Sequence, residues 1–296
     1  MLAAALLLAA TGLGTPAMAQ RVEVGTTASV AGEVTLENAE LRRPIKLEPR
    51  RRIAWGDLIA TARNAQAQLL LLDRSTFGIG QNSRVRIDRF VYDPGKERSF
   101  VASLLKGGLR FFSGAERGAR SGEVTTPAGR IGIRGTAVDM LVGESARDIA
   151  GREDAVGRKV RSDKQSATLV VLRGPVAEAG LTPGRVEVTG GQATVVLDQP
   201  GLAAYIPRPG AAPIGPFRIS IGGLARVQDE LAPRWARSLA GKGIPDEAIV
   251  GAAAAAVVGG ILLGTRGNRD GKEGGIQSEQ TCRDPQGQPI ACPPRR

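Results

Sequence analysis

The sequence predicts a mostly-β fold: a sandwich, a roll or a solenoid of many short strands, ending in a short helical and apolar segment. Three features predict it. Short runs with alternating apolar residues recur between residues 21 and 206, with glycine or proline between them. One run is an explicit hairpin signal, in which Val186 and Val188 alternate, Gly190 and Gly191 follow, and Val195 and Leu197 resume the pattern. Amphipathic helical spacing is clear only in "GLARVQDELAPRWARSLAGKG", which Pro233 interrupts.

Taken in order, the chain opens on "LAAALLLAATGLG", an apolar run followed by "TPAMAQ". Ala17 and Ala19 fit the small-x-small pattern of a signal peptidase site, so residues 1–19 read as a secretory signal cleaved after Ala19. No Lys or Arg precedes the run. A β domain is expected over residues 20–206. Its candidate strands are "RVEVGTTASV", "GEVTLEN", "AQLLLLD", "RVRIDRFVY", "GGLRFFSG", "EVTTPAG", "TAVDMLVG", "ATLVVLRG" and the two arms of "GRVEVTGGQATVVLD". Residues 144–166 are densely charged and lack a β pattern, which reads as an inserted loop or short helix. Residues 207–247 read as a proline-rich linker followed by the amphipathic helix.

Residues 248–265, "AIVGAAAAAVVGGILLGT", carry no charge and approach the minimum length of about 17 residues for a spanning helix. Membrane or envelope association through this segment is expected. The tail, 266–296, holds both cysteines, Cys282 and Cys292. Export would favour a disulfide between them. Arg266, Arg269 and Lys272 would instead place the tail in the cytoplasm if the segment spans. Attachment to an envelope assembly or a membrane surface removes that conflict, and both arrangements stay open.

Composition narrows the chemistry. The chain has no histidine, which excludes a Ser-His-Asp triad and a His-based zinc site. Two thiols without histidine make a poor metal site, so neither metal nor cofactor is expected. Five aspartates, Asp57, Asp73, Asp88, Asp93 and Asp139, are scattered without acid–base spacing. The expected protein is therefore not an enzyme. The net charge of +11 favours anionic partners, but the arginines are dispersed rather than blocked together. Aromatics at 3% are too sparse for single-strand stacking, so no nucleic acid is expected.

The stretch "GRIGIRGTAVDM" places Gly129, Gly132 and Gly135 in a strand-like run. Their G-x-x-G-x-x-G spacing does not match the dinucleotide fingerprint. No Gly-Lys pair is followed by Ser or Thr, so a P-loop is absent too. Side-chain parity gives another reading. Ile131 and Ile133 share one face, whereas Val138, Met140 and Val142 have the opposite parity. A one-residue bulge at Gly135 would restore a single core face. Arg134 would then tie neighbouring carbonyls or Asp139, and Thr136 would satisfy a freed backbone group. The other reading makes Arg134 part of a recognition surface.

"TTPAGRIGIRGTAVDM" resembles the "TP…IGIRGT" signature of FecR-domain proteins, carried here by Thr126, Pro127, Ile131, Gly132, Ile133, Arg134, Gly135 and Thr136. The likeness extends back through "WGDLIATARNAQAQLLLLDRSTFGIGQNSRVRIDRFVYD" and "LLKGGLRFFSG", and forward through "LVVLRGPVAEA". The resemblance implies an extracytoplasmic, mostly β module of the periplasm or cell envelope that senses or relays a signal through an envelope protein partner. The leading signal resembles stand-alone secreted members more than those with a cytoplasmic anti-sigma segment. A second reading is an envelope-anchored structural protein whose basic surface binds anionic glycan or lipid.

Overall fold

Alternating burial along the strands builds two sheets, and one long strand belongs to both. The computed structural model describes residues 21–92, 97–113, 119–135, 137–174, 184–232, 282–283 and 289–290. In chain order the first nine strands are β1 (Glu23–Ala31), β2 (Val34–Glu37), β3 (Ile45–Lys46), β4 (Arg52–Ala54), β5 (Leu58–Thr61), β6 (Gln66–Leu71), β7 (Thr76–Ile79), β8 (Arg84–Tyr92) and β9 (Glu97–Phe112). Next come β10 (Ala119–Thr125), β11 (Arg130–Arg134), β12 (Ala137–Val142), helix α1 (Glu144–Ala150) and β13 (Thr168–Gly174). The run closes with β14 (Arg185–Gly190), β15 (Ala193–Leu197), β16 (Leu202–Ile206), β17 (Ile214–Arg218) and helix α2 (Ile221–Leu231).

Sheet A has the order β4-β1-β6-β7-β9-β12-β13-β16-β17. Sheet B has the order β3-β2-β5-β8-β9-β10-β11-β14-β15. The first half of β9 pairs with β8 and β10, and its last six residues pair with β7 and β12. The result is one hydrogen-bonded sheet of 17 strands, folded over at β9 into a sandwich.

The fold-over changes parity. Phe100, Ala102 and Leu104 point into the core before the bend, and Leu109 and Phe111 after it. Gly107, at φ 81°, takes the turn. Buried Ser83 holds it, because the Gly108 amide donates to Ser83 Oγ at 2.8 Å. Inside the bend, Phe77, Phe100 and Phe111 pack with ring centroids 4.8–5.7 Å apart.

A second apolar cluster lies on the outer side of sheet A. Leu141, Leu169, Val171, Tyr205 and Phe217 meet Ile149 of α1 and Val227 and Leu231 of α2. This overturns the linker reading for its first half. Ile214–Arg218 is an edge strand on β16, and Phe217 and Ile219 are buried. Its proline, Pro216, is tolerated because an edge strand leaves one row of backbone groups unpaired. The helix ends at Leu231, just before Pro233, as the restriction on residues preceding proline requires. Residues 143–167 form α1 and a series of turns between the neighbouring strands β12 and β13.

The chain divides into two units, Met1–Val258 and Gly259–Arg296. In the second, β18 (Cys282–Arg283) pairs antiparallel with β19 (Pro289–Ile290). The signal reading of 1–19, the 248–265 segment and the thiols of Cys282 and Cys292 lie outside the described residues. Among the described residues, no helix is long and apolar enough to cross a membrane.

Candidate functional site

The Thr126–Thr136 stretch does three separate jobs. Thr126 to Gly129 is the turn between β10 and β11, closed by the Thr126 amide on the Gly129 carbonyl at 2.8 Å. Exposed Pro127 presets the turn's second position. Thr168 Oγ1 donates to Thr126 Oγ1 at 3.1 Å and fastens the turn to the start of β13. Ile131 and Ile133 are core residues.

The chain then changes sheets. β11 pairs within sheet B and β12 within sheet A. The parity switch is therefore a corner between two sheets, and the bulge expected at Gly135 is not what reconciles the faces. Gly135 has φ 57°, and a Cβ there would meet nothing within 4 Å. Gly135→Ala is thus expected to cost about 1 kcal/mol, from backbone conformation alone. Urea unfolding of the variant checks it, and an unchanged midpoint would refute it. Arg134 is exposed and holds no ion pair with a described residue. The tie to Asp139 is absent because Asp139 is engaged elsewhere. Thr136 lies outside the described residues.

Gly132 differs from its two neighbours in the motif. A Cβ at Gly129 would lie 2.2 Å from the Thr189 carbonyl oxygen, so packing demands glycine there. At Gly132 the nearest atom would be Glu187 Cβ, at an ordinary 3.8 Å. Neither backbone nor packing requires a glycine at this position. Gly132 points outward, and its missing side chain leaves the floor of a groove open on the outer face of sheet B. The groove has a volume of 370 Å³; Arg89, Glu123, Arg134 and Glu187 line it together with Phe100, Val101, Gly132 and Ile133. Two arginines and two glutamates beside a partly apolar floor suit an extended polypeptide with both charged and apolar side chains.

On the other side of the sandwich lies a buried charged cluster that the sequence did not single out. Arg110 and Asp139 stand opposite each other on β9 and β12. Arg110 Nε donates to Asp139 Oδ1 at 2.6 Å, and its Nη2 donates to Oδ2 at 2.8 Å and to Gln228 Oε1 at 2.6 Å. Arg173 Nε lies 3.6 Å from Asp139 Oδ2. Burial pulls the Arg173 guanidinium below its ordinary pKa; Asp139 opposes the shift and Arg110 adds to it. The cluster ties α2 to sheet A and has no open face for a substrate. The signal for it was one carboxylate inside the apolar strand "AVDMLV".

Of the other aspartates considered from sequence, Asp57, Asp73 and Asp88 are structural as well, and Asp93 lies outside the described residues. Asp57 accepts from the Ala54 amide at 2.9 Å, from Asn38 Nδ2 at 2.9 Å and from Arg21. Asp73 accepts from Ser75, and Asp88 from Ser103 and Arg86. Among the described residues, no group of His, Cys, Asp or Glu is placed to hold a metal ion.

Fold and site together define a β-sandwich with one helix-covered face and one open polar face, the latter bearing the motif groove. Residues 57–177 match the model of the FecR protein family. No curated protein matches the chain. Two crystal structures of a candidate anti-sigma factor from Parabacteroides distasonis are similar. One aligns at 13% identity with a TM-score of 0.36, the other at 12% with a TM-score of 0.35. Each alignment covers 53% of this chain and 57% of that one.

Proposed function

We propose that the protein is a non-catalytic signalling module of the cell envelope that acts through protein contacts at the open face of sheet B. The observation that carries this is Gly132, an outward glycine that nothing in the fold requires, at the floor of a groove built from the motif. The match to the FecR family model supports a regulatory role. The apolar 2–14 run and the Ala17-x-Ala19 site favour export and a periplasmic or secreted location. In this reading Arg134 and Arg89 are recognition residues, and Ile131, Ile133, Gly129 and Gly135 are scaffold.

Gly132→Phe fills the groove from a half-buried, outward-facing position where a Cβ meets no close contact, so the melting temperature should stay close to that of the parent. A photo-crosslinking residue at Glu187 should then trap one envelope protein in the parent and fail to trap it in the Gly132→Phe background. Crosslinking that persists in the variant, or that matches a control at Ala225 on α2, would refute the reading.

A further inference from the structure

The strands β12 and β13 are direct neighbours, and a two-residue turn suffices to join such a pair. Residues 143–167 intervene instead. Much of this excursion is held rigidly. Glu153, almost fully buried, accepts from the Ser220 amide and from Ser220 Oγ, each at 2.8 Å, and so fixes the start of α2. Gly223 makes room for it, since a Cβ there would lie 2.1 Å from Glu153 Oε1. Asp163 accepts from the amides of Gln165 and Ser166 and from Ser166 Oγ, at 2.8–2.9 Å, and these bonds hold its pKa below the ordinary carboxylate value.

The excursion and the start of α2 enclose a cleft of two lobes. The first, 460 Å³, is lined by Arg147, Asp148, Arg152, Arg158 and Ser162. The second, 540 Å³, is lined by Arg152, Asp154, Arg158, Ser220 and Arg226. Arg152 and Arg158 belong to both. Arg147 is neutralised by Asp148 at 2.6 Å, and the Glu153 carboxylate is spent on Ser220. Arg152, Arg158 and Arg226 hold no ion pair with a described residue, and Asp154 is the one carboxylate of the lining left uncommitted.

We propose that this cleft is a binding site for a ligand carrying two or more phosphate groups. Three uncommitted guanidiniums outnumber the one free carboxylate, and the planar fork of arginine matches phosphate oxygens in pairs. Two lobes of this size exceed a single phosphate ion and suit a drug-sized molecule or a headgroup. The positive end of α2 is already answered by Glu153, so the affinity rests on the arginines. The site lies on the helix-covered side of the sandwich and is independent of the Gly132 groove.

The test uses the full chain with pyrophosphate and inositol hexakisphosphate in calorimetry. A second arm measures co-sedimentation with phosphatidylcholine vesicles with or without phosphatidylinositol bisphosphate. Arg158→Gln and Arg226→Gln should each weaken binding about tenfold, the weight of one charged hydrogen-bonding group. Lys46→Gln, on β3, should leave binding unchanged, and all three variants should melt like the parent. Arginine-dependent binding of the soluble probes alone marks a free phosphorylated ligand. Arginine-dependent co-sedimentation marks a lipid headgroup. No binding of either probe, or equal weakening by Lys46→Gln, would overturn the site.

Discussion

Asp139→Ala is expected to destabilise the domain by about 3–5 kcal/mol, the range for removing one partner of a buried ion pair. Asp139 is fully buried and Arg110 nearly so. Without the carboxylate, the Arg110 and Arg173 guanidiniums face each other in a site that excludes most water. Gln228 would remain on Arg110, but an amide oxygen does not neutralise a cation. Helix α2 should loosen first, because Arg110 donates to its Gln228. Urea unfolding gives the loss, and hydrogen exchange of the α2 amides gives its location. A triple variant, Arg110→Met, Asp139→Leu and Arg173→Met, should recover much of the loss, since apolar residues of similar volume often replace a buried charged cluster at little cost. A loss below about 1 kcal/mol for Asp139→Ala would show that the pair contributes little.

That cluster marks where the sequence stopped being legible. Local signals read well. The Val186–Leu197 hairpin is present as β14 and β15, with Gly191 at φ 55° in its turn. The stop at Pro233 was visible because proline acts on the residue before it. What failed was anything that depends on two distant segments meeting. The parity switch at Gly135 was seen, but a single strand with a bulge and two strands in different sheets give the same alternation. Only the pairing partners, β14 for β11 and β9 for β12, tell them apart. From sequence, Asp139 is one of the groups that nearby Arg134 could tie. Its true partner, Arg110, lies 29 positions away. Gly78 stands opposite Arg110 on β7 and leaves space beside its side chain, a cue no local pattern carries. The strand at Ile214–Arg218 is hidden in the sequence by Pro216 within it and Pro213 just before it.

The motif glycines show the same division. From sequence, Gly129, Gly132 and Gly135 form one regular series. In the fold one is fixed by a neighbouring carbonyl, one by positive φ, and one by neither. The unconstrained one lies in the groove. Spacing alone could not separate them, because the constraint on each comes from a different segment: β14 for Gly129, and the corner itself for Gly135.

The fold-over in β9 gives the second large effect. Gly107→Ala is expected to cost roughly 2–5 kcal/mol, and two terms add to it. The first is conformational: at φ 81° any Cβ is strained, as at Gly135. The second is steric: the new Cβ would lie 2.5 Å from Ser83 Cα and 2.7 Å from the Asn82 carbonyl oxygen. Both are backbone atoms, and no rotamer change relieves the contact. Ser83 cannot retreat, because its Oγ also donates to the Gln81 carbonyl at 2.9 Å and its amide donates to Thr61 Oγ1 at 2.9 Å. Relief would require β8 and β9 to part where the chain leaves sheet B for sheet A, just beside the Phe77–Phe100–Phe111 cluster. Gly135→Ala shares the conformational term and lacks the steric one, so the two variants form a matched pair. Parallel urea titrations should place Gly107→Ala well below Gly135→Ala in midpoint. Equal midpoints would mean that the bend can open without cost, and that β9 is not the element that holds the two sheets together.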